Sequence, residues 1–223
     1  MNIEHFLSHI DASAKELRDL HPQEVLLLHH NDTDGLTSGA ILHATFERHG
    51  IPLRSYCLEK PYPPVLSHIL QDPALSPNTI LLFADFGSGM LPTIDKLNVS
   101  HLPIFILDHH TIESSSSANI KLVNCRTFDI CGSRQCSAST ICSLFAQSFS
   151  KHNEDLLTLG LLGAYGDSQY LSDGSFEGLN GLLFQKTLSA GTVSFDNTLR
   201  MTIGQSYPAS SLKEWLDHLG SIG

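Results

Sequence analysis

Three stretches of the chain are continuously apolar over strand length: Glu24–His30 (EVLLLHH), Thr79–Asp85 (TILLFAD) and Leu102–Asp108 (LPIFILD). Continuous rather than alternating hydrophobicity predicts central strands covered on both faces. Two weaker segments, 53–59 (LRSYCLE) and 120–124 (IKLVN), read as further strands. Helical spacing recurs between them, over 37–49, 64–71, 90–97, 137–149 and 154–164, and the N-terminal MNIEHFLSHIDASAKEL is amphipathic. Strand and helix alternating at this spacing predict an α/β fold, a doubly wound, mainly parallel five-stranded sheet with helices on both faces.

From Gly174 the pattern is helical and mixed, with SFEGLNGLLFQKTL and SSLKEWLDHL the clearest amphipathic segments. The economical division is a main domain over 1–173 and a helical extension over 174–223, which is either part of that domain or the start of a linker to a further domain. The serine run at 114–117 reads as a solvated turn, and no internal repeat is evident.

All three strong strands end in His or Asp. In a doubly wound sheet, ligands bind beyond the carboxyl ends of the strands, so these residues fall where a site belongs. After the first strand comes HNDTDGLTSG, in which His30, Asp32 and Asp34 alternate and can converge in an extended segment. Gly35 permits a turn, and Thr37 or Ser38 is the expected cap of the next helix, whose free N–H groups would face an anion. Asp85 ends the second run, Asp108-His109-His110 the third, and Asp167 closes the apolar LGLLGAYGD.

Composition narrows what such a cluster can do. Of the 223 residues, 41% are hydrophobic and 16% charged, as in globular proteins, and no apolar run approaches the length of a membrane span. With no secretion-like leader, a cytoplasmic location without membrane partners is expected. The five cysteines, at 57, 125, 131, 136 and 142, show no metal-binding spacing and read as reduced structural thiols. A net charge of −10 argues against a broad electrostatic grip on nucleic-acid backbone. Four gathered carboxylates (Asp32, Asp34, Asp85, Asp167) would repel one another if bare, and two divalent cations balance their charge. Mixed histidine and carboxylate donors point to Mn2+ ahead of Co2+, Zn2+ or Mg2+.

Four segments together, HNDTDGLTSGAIL, FADFG, LDHH and GAYGD, resemble the motifs of the DHH phosphoesterase superfamily. CGSRQCSAST and GLNGLLFQKTLSAG are similar to its archaeal-type RecJ-like branch. The resemblance implies a two-metal phosphodiesterase acting on single-stranded DNA or RNA, or on short oligonucleotides. It also admits a small substrate such as a cyclic dinucleotide, a nucleoside bisphosphate or pyrophosphate. A non-catalytic scaffold keeping the fold is the third reading, disfavoured because every donor position is filled.

By position, the resemblance makes His30 and Asp32 ligands of one metal, and Asp34, His109 and Asp167 ligands of the other, with Asp85 bridging. His29 is the alternative to His30. Asp108 would orient the histidine pair, and His110 would touch the scissile phosphate or act as a general acid. Ser38 and Arg134 are the remaining candidates for substrate binding. Family nucleases carry a second domain with a glycine-rich, His-containing motif. None follows Gly191 here, so the expectation is either the catalytic half of a longer protein, with a further C-terminal domain, or a minimal version whose substrate is small or presented by a partner subunit.

Overall fold

The computed structural model of the chain describes residues 2–114, 119–195, 200–204 and 207–222. Most of the serine run therefore lies outside the described residues. Five parallel strands form one sheet: β1 (Glu24–His30), β2 (Leu53–Leu58), β3 (Thr79–Ala84), β4 (Ile104–Asp108) and β5 (Ile120–Asn124), in the order β2-β1-β3-β4-β5. The three strong apolar runs occupy the three central places. The two weaker segments form the edges, where β2 leaves much of its length exposed.

Alternate side chains of the central strands feed two separate cores. Val25, Leu27, Ile80, Leu82, Phe105 and Leu107 face one side, packed under helices α1 (Ile3–Asp19), α2 (Thr33–Arg48) and α5 (Ala138–Phe149). Leu26, Leu28, Leu81, Phe83, Ile104 and Ile106 face the other, under α3 (Pro63–Leu70) and α4 (Leu91–Leu97). Burial on both faces is what the unbroken apolar runs predicted.

Helix α1 buries Phe6, Ile10, Ala14 and Leu17 along one stripe, and Arg18 donates to the Phe149 carbonyl at the end of α5 (3.1 Å). Helix α6 (Leu157–Gly166) starts later than its pattern suggests, because Lys151–Leu156 is wound as a tighter 3-10 turn. Gly163 of α6 lies so close to α2 and α5 that a methyl there would overlap the Thr37 and Ser139 hydroxyls. We expect Gly163→Ala to cost about 1–3 kcal/mol of stability by overpacking. An unchanged denaturant midpoint would contradict this contact.

Helix α2 departs from expectation. Neither Thr37 nor Ser38 caps α2; the helix begins at Thr33, and the Asp32 carboxylate caps it by accepting from the Gly35 N–H (2.9 Å). Thr37 lies a turn inside, where its hydroxyl donates to the Thr33 carbonyl (2.8 Å).

Beyond Gly174 the two expected helices form as α7 (Gly178–Ser189) and α8 (Ala209–Ile222). Between them lies an antiparallel sheet that the pattern does not reveal, made of β6 (Val193–Phe195), β7 (Met201–Ile203) and β8 (Tyr207–Pro208). Helix α8 seats against the β1–α2 turn: Asp217 accepts from the Thr33 N–H (3.1 Å) and hydroxyl (2.6 Å), and the Asn31 amide donates to the Gly220 carbonyl (2.8 Å). Among the described residues, no helix is long and apolar enough to cross a membrane.

Candidate metal centre

The carboxyl ends of β1, β3 and β4 converge with the C-terminal end of α6, and the charged residues there form two triads with no shared member, connected through a third group of Asp85, Asp108, His109 and His110. One is His30, Asp32 and Asp85; the other is Asp34, His109 and Asp167. Within each, one ligand-type atom per residue lies within 4.8 Å of the others. Asp85 links the triads: its Oδ2 lies 3.5 Å from His30 Nδ1 and its Oδ1 3.2 Å from His109 Nε2.

Asp32 and Asp34 do not converge as an extended segment would place them, because Asp34 is already in the first turn of α2. Asp32, at the cap, faces His30 Nδ1 (3.0 Å). Asp34 is buried and points to the N-terminus of α5, where its oxygens accept from the Ala138 N–H (2.9 Å) and the Ser139 N–H (3.0 Å). Those free amides and the helix dipole steady its charge away from water. The turn between cap and helix thus sends the two aspartates into different triads.

Each histidine of the triads has its far nitrogen occupied. His30 Nε2 pairs with the Glu59 carbonyl (3.0 Å) and His109 Nδ1 with the Gly132 carbonyl (2.6 Å). A carbonyl only accepts, so both far nitrogens carry the proton and the near ones keep a lone pair for a cation when the ring is neutral. His29 is turned away: its Nδ1 faces the His30 carbonyl (2.9 Å) and its ring packs on Gly39, while burial pulls its pKa down. His30, rather than His29, faces the carboxylates.

The electrostatics favour positive charge at the centre. Burial, then the charge of Asp34, pushes the Asp85 carboxyl up to about 7. Contact with Asp32, then Asp85, raises His30 to about 10. Burial opposes ionisation of His109, but Asp85, Asp34 and Asp167 outweigh it and raise its pKa. Asp167 is raised by burial and by Asp34. Asp85 also has a left-handed backbone (φ 66°), strained for a residue other than glycine. Its Oδ1 is buried without a hydrogen-bond partner, the His109 contact having an ion-pair distance without hydrogen-bond alignment. A buried carboxylate with one open oxygen, flanked by the His30 and His109 rings, fits a cation-binding donor set, and the cluster can hold metal.

Asp108 is different in kind. It is fully buried, and its oxygens accept from the Ser88 N–H (2.9 Å), the His109 N–H (2.8 Å) and His110 Nδ1 (2.7 Å). Burial would raise its pKa, but these contacts hold it well below the usual carboxylate range. His110 is thereby aimed with its Nε2 edge toward an open cleft of about 330 Å3, lined also by His30, Lys60, Pro61, Phe86 and Met90.

The two substrate-binding candidates fall elsewhere. Ser38 is fully buried, because α2 begins a turn earlier than expected and carries it away from the helix mouth. Arg134 is 71% exposed and its Nε lies 3.7 Å from Glu177 Oε1, on the surface and outside the lining of the cleft. The basic residue fixed at the histidine pair is Arg126, which donates to the His109 carbonyl (2.7 Å). The cation at the cleft is Lys60, whose place in an exposed loop gives no signal in sequence. Gln169, bonded to Asp167, and Asn180, bonded to Gln169, are buried polar residues whose role gives no signal in sequence, since lone amides form no motif.

Residues 24–164 match the model of the DHH family, N-terminal domain. The chain belongs to the DHH family. An uncharacterized protein of Methanocaldococcus jannaschii is 31% identical over 170 residues, covering 74% of this chain and 38% of that protein. The fold is similar to that of Thermus thermophilus RecJ in complex with Mn2+ (TM-score 0.62, 16% identity, covering 81% of this chain and 26% of that one). A second RecJ exonuclease structure, bound to manganese, gives a TM-score of 0.63 at 16% identity over 81% and 47% of the two chains. CDC45 from Entamoeba histolytica follows, with a TM-score of 0.57 at 13% identity over 87% and 38%. The chain thus spans less than half the length of each of these proteins.

Proposed function

We propose that this DHH-family chain is the catalytic module of a two-metal phosphodiesterase that cuts single-stranded nucleic acid or short oligonucleotides, with Mn2+ as the working ion. The observation that carries the reading is the pair of donor triads joined through the buried Asp85 carboxylate, whose Oδ1 has no hydrogen-bond partner. In it, His30 and Asp32 hold one cation, Asp34, His109 and Asp167 the other, and Asp85 bridges. Mixed imidazole and carboxylate donors support Mn2+, as do the manganese-bound RecJ structures of similar fold. Bound there, the ions would polarise phosphoryl oxygens and lower the pKa of an attacking water.

The chain's own groups do the rest. His110, held by Asp108, presents Nε2 to the cleft, where it can bind a phosphoryl oxygen or give a proton to the leaving oxygen. Pro61, Phe86 and Met90 offer an apolar wall for sugar and base, and Lys60 a charge for a neighbouring phosphate. We expect Lys60→Ala to raise KM about tenfold, the worth of one charge-assisted contact of ~1.4 kcal/mol, with kcat within about twofold. An unchanged KM would remove Lys60 from the substrate path.

The net charge of −10 fits a local rather than an extended hold on the strand, and the reading includes a further domain or partner subunit that supplies the remaining grip. The size of the cleft, about 330 Å3, favours a second reading in which the same chemistry acts on a small phosphate compound. A Mn2+-supplemented assay of labelled single strands, two- to five-nucleotide RNAs, cyclic dinucleotides and pyrophosphate separates them. Release of mononucleotides from strands or short RNAs supports the first. Turnover confined to cyclic dinucleotides or pyrophosphate supports the second, and no turnover of any substrate overturns both.

A further inference from the structure

The second donor triad is tied together by two buried side-chain amides, Gln169 from outside the family-like motifs and Asn180 from the GLNGLLFQKTLSAG segment. Gln169 Nε2 donates to Asp167 Oδ2 (2.6 Å) and to the Gly132 carbonyl (2.8 Å), the same carbonyl that fixes His109 Nδ1 (2.6 Å). Gln169 Oε1 in turn accepts from Asn180 Nδ2 (2.8 Å). Asn180 Oδ1 accepts from the Ser137 N–H (3.1 Å) and the Thr140 hydroxyl (2.7 Å) at the start of α5. Both residues are buried, Gln169 at 3% exposure and Asn180 at 0%.

The donor and acceptor identities leave one consistent arrangement. Flipping the Gln169 amide would aim its oxygen at a carboxylate and a carbonyl, which only accept, and leave its nitrogen facing the Asn180 nitrogen. Flipping Asn180 would set its nitrogen against the Ser137 N–H. The chain runs without a break from α5 through Asn180 and Gln169 to Asp167 and to the carbonyl that sets the His109 tautomer. The same turn of α5 binds Asp34 directly through Ala138 and Ser139. Helix α7 delivers Asn180 because its first turn is anchored on one carbonyl, Gln135, which accepts from the Leu179 (2.8 Å) and Asn180 (3.1 Å) N–H groups.

We infer that Gln169 and Asn180 are positioning residues for the second cation: they hold Asp167 and His109 in register with Asp34, so that α7, beyond the matched family domain, sets the affinity of that position. The inference rests on the two-cation reading above. Partners of metal ligands at this remove typically carry about 10- to 100-fold in metal affinity. Gln169→Glu keeps the shape and the acceptor for Asn180 but replaces the donor facing Asp167 with an oxygen. Asn180→Asp keeps the acceptor for Ser137 and Thr140 but removes the donor that orients Gln169.

The test is calorimetric titration of metal-stripped protein with Mn2+, alongside melting curves of the same samples. We expect Gln169→Glu to weaken one of two Mn2+ sites by about 10- to 100-fold with the other unchanged, and Asn180→Asp to weaken the same site less. Two sites of wild-type affinity in both folded variants would overturn the relay while leaving the two-cation reading intact. If either variant fails to fold, Gln169→Asn and Thr140→Val replace it: the first shortens the donor's reach to Asp167, the second removes one anchor of Asn180. Wild-type affinities in both replacements overturn the relay equally. Wild-type protein taking up fewer than two ions would overturn the two-cation reading, and the relay with it.

Discussion

Asp85→Asn is expected to lower Mn2+-dependent hydrolysis by about three orders of magnitude, ~4 kcal/mol of barrier, while the metal-free variant melts no lower than wild type. The two halves of this result have one cause. Asp85 is buried and faces His30 of one triad and His109 of the other, so on the two-cation reading its charge would serve both ions. Without cations that carboxylate is a liability: burial and Asp34 push its pKa up to about 7, one oxygen has no partner, and the backbone is left-handed. Asparagine is nearly isosteric, carries no charge and tolerates positive φ better than most residues. Retained activity, or a marked loss of metal-free stability, would show that Asp85 is a structural residue.

His109→Ala is expected to remove one of two bound Mn2+ ions and to lower kcat by a similar factor of about 10^3, with the sheet intact by circular dichroism. His109 Nε2 lies 3.2 Å from Asp85 Oδ1 and 3.8 Å from both Asp34 Oδ2 and Asp167 Oδ2, the one imidazole among three carboxylates. Its loss leaves the first triad of His30, Asp32 and Asp85 complete, so one ion should remain. Loss of both ions would mean that the triads fill as a unit. Loss of neither would take His109 out of the donor set. By contrast, His110→Ala, whose ring is 55% exposed at the cleft, should spare metal content and lower the rate.

How much of this is readable without coordinates depends on the physical range of each signal. The central strands β1, β3 and β4 announce themselves because burial on both faces demands unbroken apolar runs. Their ends place Asp85, Asp108 and His109 at the switch region of the sheet with no further information. The small sheet of β6, β7 and β8 is invisible, because strands of three, three and two residues are too short for alternation to register.

The departures around α2 share one source. The Asp32 carboxylate caps Thr33–Arg48, starting the helix four residues ahead of the pattern at Thr37. That shift is why Ser38 is buried rather than at an exposed helix mouth. It is also why Asp34 does not converge with Asp32 as an extended segment would, but is carried toward α5. The roles of Gln169 and of Asn180, the latter within the GLNGLLFQKTLSAG segment, are not readable, since an amide's role is defined by what the fold brings to its two ends, here residues 109, 132, 137, 140 and 167.

The central claim is that two cations, bridged by Asp85, are needed together. It is tested most directly by titrating metal-stripped protein with Mn2+ and recording, in the same samples, the ions bound per chain and the rate on a short single-stranded oligonucleotide. The account predicts two ions per wild-type chain, with activity appearing only as the second is taken up. Full activity with one ion bound, or none with two, would contradict it.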